Sequence, residues 1–308
     1  MLSLPMGMKK GRYIKTRLEH WNDISMLNPR FLKAFVFRGQ GKSDWHIESS
    51  LERLIKRFYS TDIQEKIYPS GFETEMLREF QWKYPNYETT NIPKEDEVVE
   101  WLSIMQHYGS CTRMVDFTFS PYVALFMAID SSEGDNAFTI WCLNHLTLSE
   151  IFSEDHNTKR VNLLFENPNS KSSIYNYVNQ ILIDSVNDVR REFRPYVYLV
   201  KPCKAHKRIV EQQGLFAIPE RIDIPFEKNL FALVNEKETE FVKFTNIIEY
   251  SYSGKITRSE DYLLIKIDIP AKFRYEISQS LYLMNMTAES LYPGLTGLAK
   301  SLNYQRLV

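Results

Sequence analysis

The order in which apolar runs fall along this chain constrains its fold more than any single motif. Helical spacing dominates the first third, in "SSLERLIKRF" (49–58), "FETEMLREFQWKY" (72–84) and "EDEVVEWLSIMQHYG" (95–109). Runs rich in β-branched and aromatic residues come later and are scattered: "AFTIWCL" (137–143), "YVYLVKP" (196–202) and "YLLIKIDIP" (262–270) read as strands. The regular strand–helix alternation that a doubly wound parallel sheet needs is missing. The expected class is therefore α+β, a mixed sheet of short strands with surrounding helices. No linker or shift in composition divides the 308 residues, so one domain is expected over 1–308, with residues 1–15 a loose N-terminal extension.

Local signals refine this reading. Lys15 to Phe35 reads as a helix feeding a strand at "AFVF" (34–37). Ser49 and Ser120 stand where helix caps are expected, Pro121 follows in a first turn, and Gly109 ends a helix. "SIYNYVNQILIDSV" (173–186) is a helix between two strands, and "KRIVEQQGLFAIP" (207–219) is a short helix that breaks at Gly214 into a strand. The tail "TAESLYPGLTGLAKSLN" (287–303) combines a capped start, a Pro-Gly turn and a final helix.

Composition excludes several function classes. Lys plus Arg number 38 against 39 for Asp plus Glu, so no global field draws the chain to nucleic acid or anionic lipid. The three cysteines (Cys111, Cys142, Cys203) are far apart, which argues for a reducing compartment and against a zinc site. His145 and His156 lie near acidic residues without a third ligand at useful spacing, so no metal is expected. The start has no apolar core of signal-peptide type, and no run approaches a membrane span. A cytoplasmic protein without a membrane partner is expected. Phosphate loops, dinucleotide fingerprints, nucleophile elbows and zincin motifs are all missing.

Three stretches gather chemistry. In "FVFRGQGKSDW" (35–45) a buried strand runs into Arg38, Gly39, Gln40 and Gly41. A guanidinium at a strand mouth serves either a salt bridge or an anion, and the glycine implies a close approach of the backbone to something. In "MQHYGSCTRMVDFTFSPYVALF" (105–126) Gln106, His107, Thr112, Arg113, Asp116 and Thr118 stand among apolar residues, at the edge of a core. The structural alternative is an Arg113–Asp116 pair tying a loop, with His107 capping a helix end. The functional one is a phosphate cradle made of Arg38, Arg113 and the amides at the Ser120 helix start. Arg208 and Gln212, four apart, share a helical face, with Glu211 beside them.

These blocks resemble the FRG domain family, named for its Phe-Arg-Gly triplet. "FRGQ" with Trp45 and "SSLERL", then "QHYGSCTRMVDFTFSPYVALFMA", "RIVEQQGLF" and "SLYPGLTGLAK" follow the family's order from about Trp21 to Leu302. Departures from the family form at Cys111, Met114, Val115 and Phe117 are apolar exchanges that leave the polar set intact. A more distant resemblance is to arginine-type ADP-ribosyltransferases. "FVFRG" is similar to their arginine strand, "FTFSPYVALF" to their Ser-x-Ser strand and helix, and "EQQGLFAIP" to their glutamate-bearing strand.

That resemblance implies an ADP-ribosyltransferase-like core and an NAD-dependent enzyme, with NAD as substrate, that modifies a macromolecule. The acceptor is nucleic acid or protein, and the setting a toxin or phage-defence effector with an antitoxin or regulatory partner. Arg38 and Arg113 would hold the pyrophosphate, with Gly39, Gln40, Thr118 and Ser120 completing the cofactor site and Thr118 on the ribose. His107 would position or shuttle a proton, Asp116 would orient Arg113 or His107, and Glu211 and Gln212 complete the catalytic set. The carboxylate stays open between Glu211, Asp116 and Glu289. The rivals are a non-catalytic nucleotide- or nucleic-acid-binding module, a phosphodiester-cleaving enzyme that lacks a second histidine in the sequence pattern, and a purely structural Arg113–Asp116 pair.

Overall fold

The structure, a computed structural model, describes residues 10–59, 69–155, 173–189, 193–204, 206–235, 239–253 and 262–304. Its strands are β1 (Arg12–Arg17), β2 (Phe35–Gln40), β3 (Val115–Thr118), β4 (Phe138–Asn144), β5 (Val197–Val200), β6 (Gly214–Pro219), β7 (Glu240–Phe241) and β8 (Tyr262–Ile269). They form one sheet of order β5-β6-β3-β2-β4-β8-β1-β7, antiparallel except where β1 runs parallel to β8 and β7. The fold is α+β.

Helices before the centre of the chain are α1 (Pro29–Leu32), α2 (Ser50–Phe58), α3 (Pro69–Lys83), α4 (Val98–His107), α5 (Pro121–Asp130) and α6 (His145–Asp155). Those after it are α7 (Ile174–Val186), α8 (Lys207–Glu211), α9 (Phe226–Phe231), α10 (Phe244–Tyr252), α11 (Arg274–Leu283), α12 (Ala288–Leu291) and α13 (Leu295–Tyr304). Alternation along the central strands divides their side chains between two cores. Val36 of β2, with Trp141 and Leu143 of β4, joins the core that includes Trp101, Leu102 and Met105 of α4. Phe35, Phe37, Ile140 and Cys142 join the other, which is filled by Val123, Ala124 and Ala128 of α5.

The caps fall where the sequence places them. Ser49 and Glu52 form a reciprocal capping box on α2, and Thr287 and Ser290 form one on α12. Ser120 and Ser173 each accept an amide at their helix starts, and Gly109 takes φ +91 just past α4.

Two expectations are corrected. Residues 15–35 are not a helix: β1 ends at Arg17, a 3-10 turn covers Asp23–Met26, and α1 has only four residues. Pro29 explains the break, because the residue before a proline is pushed out of the helical region and Asn28 has ψ 128. Of the segment expected to be loose up to residue 15, Arg12 to Lys15 lie in β1, and Tyr13 and Ile14 are buried in the sheet. Strand β3 is not among the runs that composition marks as strands; Val115 and Phe117 point into a core while Asp116 is exposed, the period of a strand in only four residues. Among the described residues no helix is long and apolar enough to cross a membrane.

Candidate functional site

Arg38 stands in β2, whose glycines answer why the backbone must come close to something. A Cβ on Gly39 would lie 1.9 Å from the Ala124 carbonyl oxygen, and one on Gly41 would lie 2.0 Å from that of Ser131. The close partner is therefore helix α5 and the turn that follows it. Packed this way, Arg38 donates from Nη1 to the Asp116 carbonyl oxygen at 3.0 Å and leaves Nε buried without a partner. Among the described residues it forms no ion pair. Burial pushes its pKa down to about 10, with the Asp116 charge opposing and nearby Arg53 adding to the effect. The guanidinium is charged at neutral pH and one of its donors is unused.

A cleft of about 510 Å³ opens beside it, lined by Arg38, Gly39, Gln40, Asp44, Trp45, His46, Glu48, Arg53 and Ser131. Arg53, on α2, donates to the Glu48 carbonyl oxygen at 2.8 Å and also forms no ion pair among the described residues. Gln40 is buried and engaged through both its oxygen and its nitrogen: it accepts from Trp141 Nε1 at 2.6 Å and donates to the His46 carbonyl oxygen at 2.9 Å.

The polar block of 105–126 is largely one network. Gln106, near the end of α4, donates to Asp116 Oδ1 at 2.7 Å and accepts from Thr112 Oγ1 at 2.5 Å. The Thr112 amide donates to Ser50 Oγ at 2.9 Å, which carries the network to the start of α2. Thr118 donates to the Gln212 carbonyl oxygen at 2.6 Å and accepts from the Ser120 amide at 3.0 Å, while Ser120 caps α5. Gln212 donates to the Leu291 carbonyl oxygen at 2.9 Å, so its side chain ties α8 to α12. Glu289 is exposed on α12.

Arg113 overturns its assignment. It is 1 % exposed, its Nε contacts Glu73 Oε2 at 2.5 Å, its amide donates to Glu73 Oε1 at 2.7 Å, and Nη2 donates to Ser185 Oγ at 2.9 Å. Neither the pyrophosphate role nor the Arg113–Asp116 pair survives. The guanidinium is held inside the fold by a buried carboxylate of α3 and a hydroxyl of α7, with Nη1 buried without a partner.

At the end of α4, His107 stacks on His206, with ring centroids 4.0 Å apart. Each ring has a buried Nδ1 without a partner. Burial, and then the Arg208 charge, lower the His107 pKa; burial, His107 and Arg208 push that of His206 down to about 4. Both shifts favour the neutral rings at pH 7. Glu211, at the end of α8, faces Lys207 at 3.6 Å through Oε1 and has Oε2 buried without a partner. Arg208 lies 5.3 Å over the Tyr292 ring. Gln213, two residues after Glu211, has φ +48, an uncommon conformation outside glycine and one often found at sites.

Sheet order brings the three marked segments together. Thr118 of β3 is opposite Phe37, the neighbour of Arg38, on one side and opposite Gly214, which follows Glu211, Gln212 and Gln213, on the other. Sequence reasoning missed His206, Arg53 and Glu73. Arg53 lay inside the quoted "SSLERL", but His206 meets His107, and Glu73 meets Arg113, only through tertiary packing. His145 is buried and its Nε2 lies 3.0 Å from the Lys33 carbonyl oxygen; His156 lies outside the described residues. Among the described residues no three His, Cys, Asp or Glu side chains gather as a metal site would require.

No curated protein and no solved structure matches the chain. Both Arg38 on β2 and the polar block that reaches it fall within residues 33–137, about a third of the chain, and that segment matches the FRG domain family.

Proposed function

We propose that this chain is an NAD-dependent enzyme of ADP-ribosyltransferase type that modifies a macromolecule. The observation that carries the reading is the meeting of segments at Thr118: the Arg38 strand and the Glu211–Gly214 segment flank it in one sheet. Arg38 offers a charged guanidinium with an unused donor for a diphosphate, where a bidentate group serves better than an ammonium. Arg53 lines the same cleft and takes the place first assigned to Arg113.

In this chemistry the bond between C1′ of the ribose and the nicotinamide nitrogen breaks, and its electron pair leaves with nicotinamide. The acceptor nucleophile bonds to C1′ and gives up a proton. Fixed charge at the developing oxocarbenium centre speeds such a step. Glu211, whose Oε2 has no partner, supplies that charge, and His107, neutral at pH 7, takes the proton. Asp116 orients through Gln106 and through its carbonyl on Arg38. The reading extends to a toxin or phage-defence setting, with a nucleic acid or protein acceptor and a restraining partner.

A second reading has one observation in its favour: the His107–His206 stack is the histidine pair that phosphodiester cleavage would use. The first experiment separates them. Protein incubated with NAD labelled in its adenylate half, with DNA, RNA or cell protein, is expected to label one acceptor class, and Arg38→Ala is expected to cut the rate about 100-fold. Nucleic-acid breakdown without NAD would favour the second reading. Absence of transfer and of nicotinamide release, with no rise in melting temperature on adding NAD, would leave a non-catalytic binding module.

A further inference from the structure

We infer that the cleft beside Arg38 is a base-and-diphosphate subsite, in which Trp45 stacks on the heteroaromatic ring of a nucleoside diphosphate whose phosphates lie on Arg38 and Arg53. This deepens the NAD reading and rests on it for the identity of the natural ligand. It assigns the adenosine diphosphate half to this cleft and leaves the nicotinamide half toward Glu211 and His107.

The loop that carries Trp45 is built as a platform. Ser43 donates its amide to the Ala137 carbonyl oxygen at 2.8 Å, and the Lys266 ammonium donates to the Ser43 carbonyl oxygen. Gln40 holds the His46 carbonyl, His46 Nδ1 meets Glu227 Oε2 at 2.5 Å, and Gly41 is pressed against Ser131. A loop pinned on both sides of Trp45 has little freedom left, yet the indole is 44 % exposed at the cleft. Lys42 lies 5.6 Å from its ring centroid, so the ring already acts as a cation acceptor. A rigid, exposed aromatic group costs little entropy when it stacks on a ligand.

Charge and size choose the ligand. Arg38 and Arg53 face the cleft without a carboxylate claiming either, whereas Glu48 at its rim is taken by Lys56. Two guanidiniums suit a diphosphate. Asp44, at the same rim, offers an acceptor for ribose hydroxyls. A volume of about 510 Å³ accommodates one nucleotide, and the chain's net charge of −1 supplies no broad field for a polyanion. The occupant is a free nucleotide rather than a nucleic-acid strand.

Titrating the full chain with ADP, by calorimetry and by quenching of tryptophan fluorescence, tests the assignment. Trp45→Ala is expected to weaken ADP binding at least tenfold and Trp45→Phe to retain most of it, since stacking survives a change of ring. Arg53→Gln is expected to weaken both ADP and inorganic pyrophosphate, whereas Trp45→Ala leaves pyrophosphate unchanged. An unaltered melting temperature for each variant establishes that it folds. ADP binding equal in wild type and Trp45→Ala, or no ADP binding by wild type, overturns the subsite. ADP binding that depends on Trp45 in a protein that never transfers label retains the subsite and removes the NAD reading. Transfer with an unchanged KM for NAD in Trp45→Ala does the reverse.

Discussion

Single side chains here owe their roles to what surrounds them. Gly39 is needed because helix α5 occupies the space of a Cβ, so Gly39→Ala is expected to cost about 3 kcal/mol in urea unfolding. Gln213 adopts the left-handed conformation that a side chain resists, so Gln213→Gly is expected to unfold at the same or higher urea concentration. His206 has a pKa near 4 in the folded chain, below the ordinary 6.5. Between those values the unfolded chain binds more protons, so stability contributed by this group is present above pH 6.5 and is lost as pH falls toward 4. Urea midpoints measured at pH 7 and pH 4.5 should differ, and the difference should shrink in His206→Gln; an equal difference in that variant refutes the assignment.

Between elements, the Arg113–Glu73 pair joins the strand-bearing block to α3, with Ser185 adding α7. Glu73→Gln is expected to lose about 3 to 5 kcal/mol, because a buried guanidinium is left without its counter-charge. Replacing both partners, Arg113→Met with Glu73→Leu, should recover much of that loss, and nucleotide binding by the double variant should match wild type. The capped helices and the strand leading into Arg38 were legible because each is written in local spacing, although β2 runs on past Gly39 to Gln40. Strand β3 and the partner of Arg113 were not: four residues carry too little periodicity, and Glu73 is forty positions away in a helix whose sequence reads as an ordinary amphipathic one.

Across the chain, β1 is the test of how far the fold extends. It pairs parallel with β8 over six residues and with β7, burying Tyr13 and Ile14. A chain starting at residue 18 is therefore expected to lose cooperative unfolding, where a loose extension could be removed without effect; a sharp thermal transition in that truncated chain would refute the placement of β1. Local interactions alone account for the helix caps at Ser49, Ser120, Ser173 and Thr287, the β-branched strands, the α+β class and the polar character of residues 105–126, since each depends on neighbours within a few positions. The tertiary structure alone decided that His107 meets His206, that Arg113 turns inward to pair with Glu73 while Arg38 forms no ion pair among the described residues, and that β1 enters the sheet. Those outcomes rest on strand order and on which buried charge finds a partner, and neither is encoded in the spacing of nearby residues.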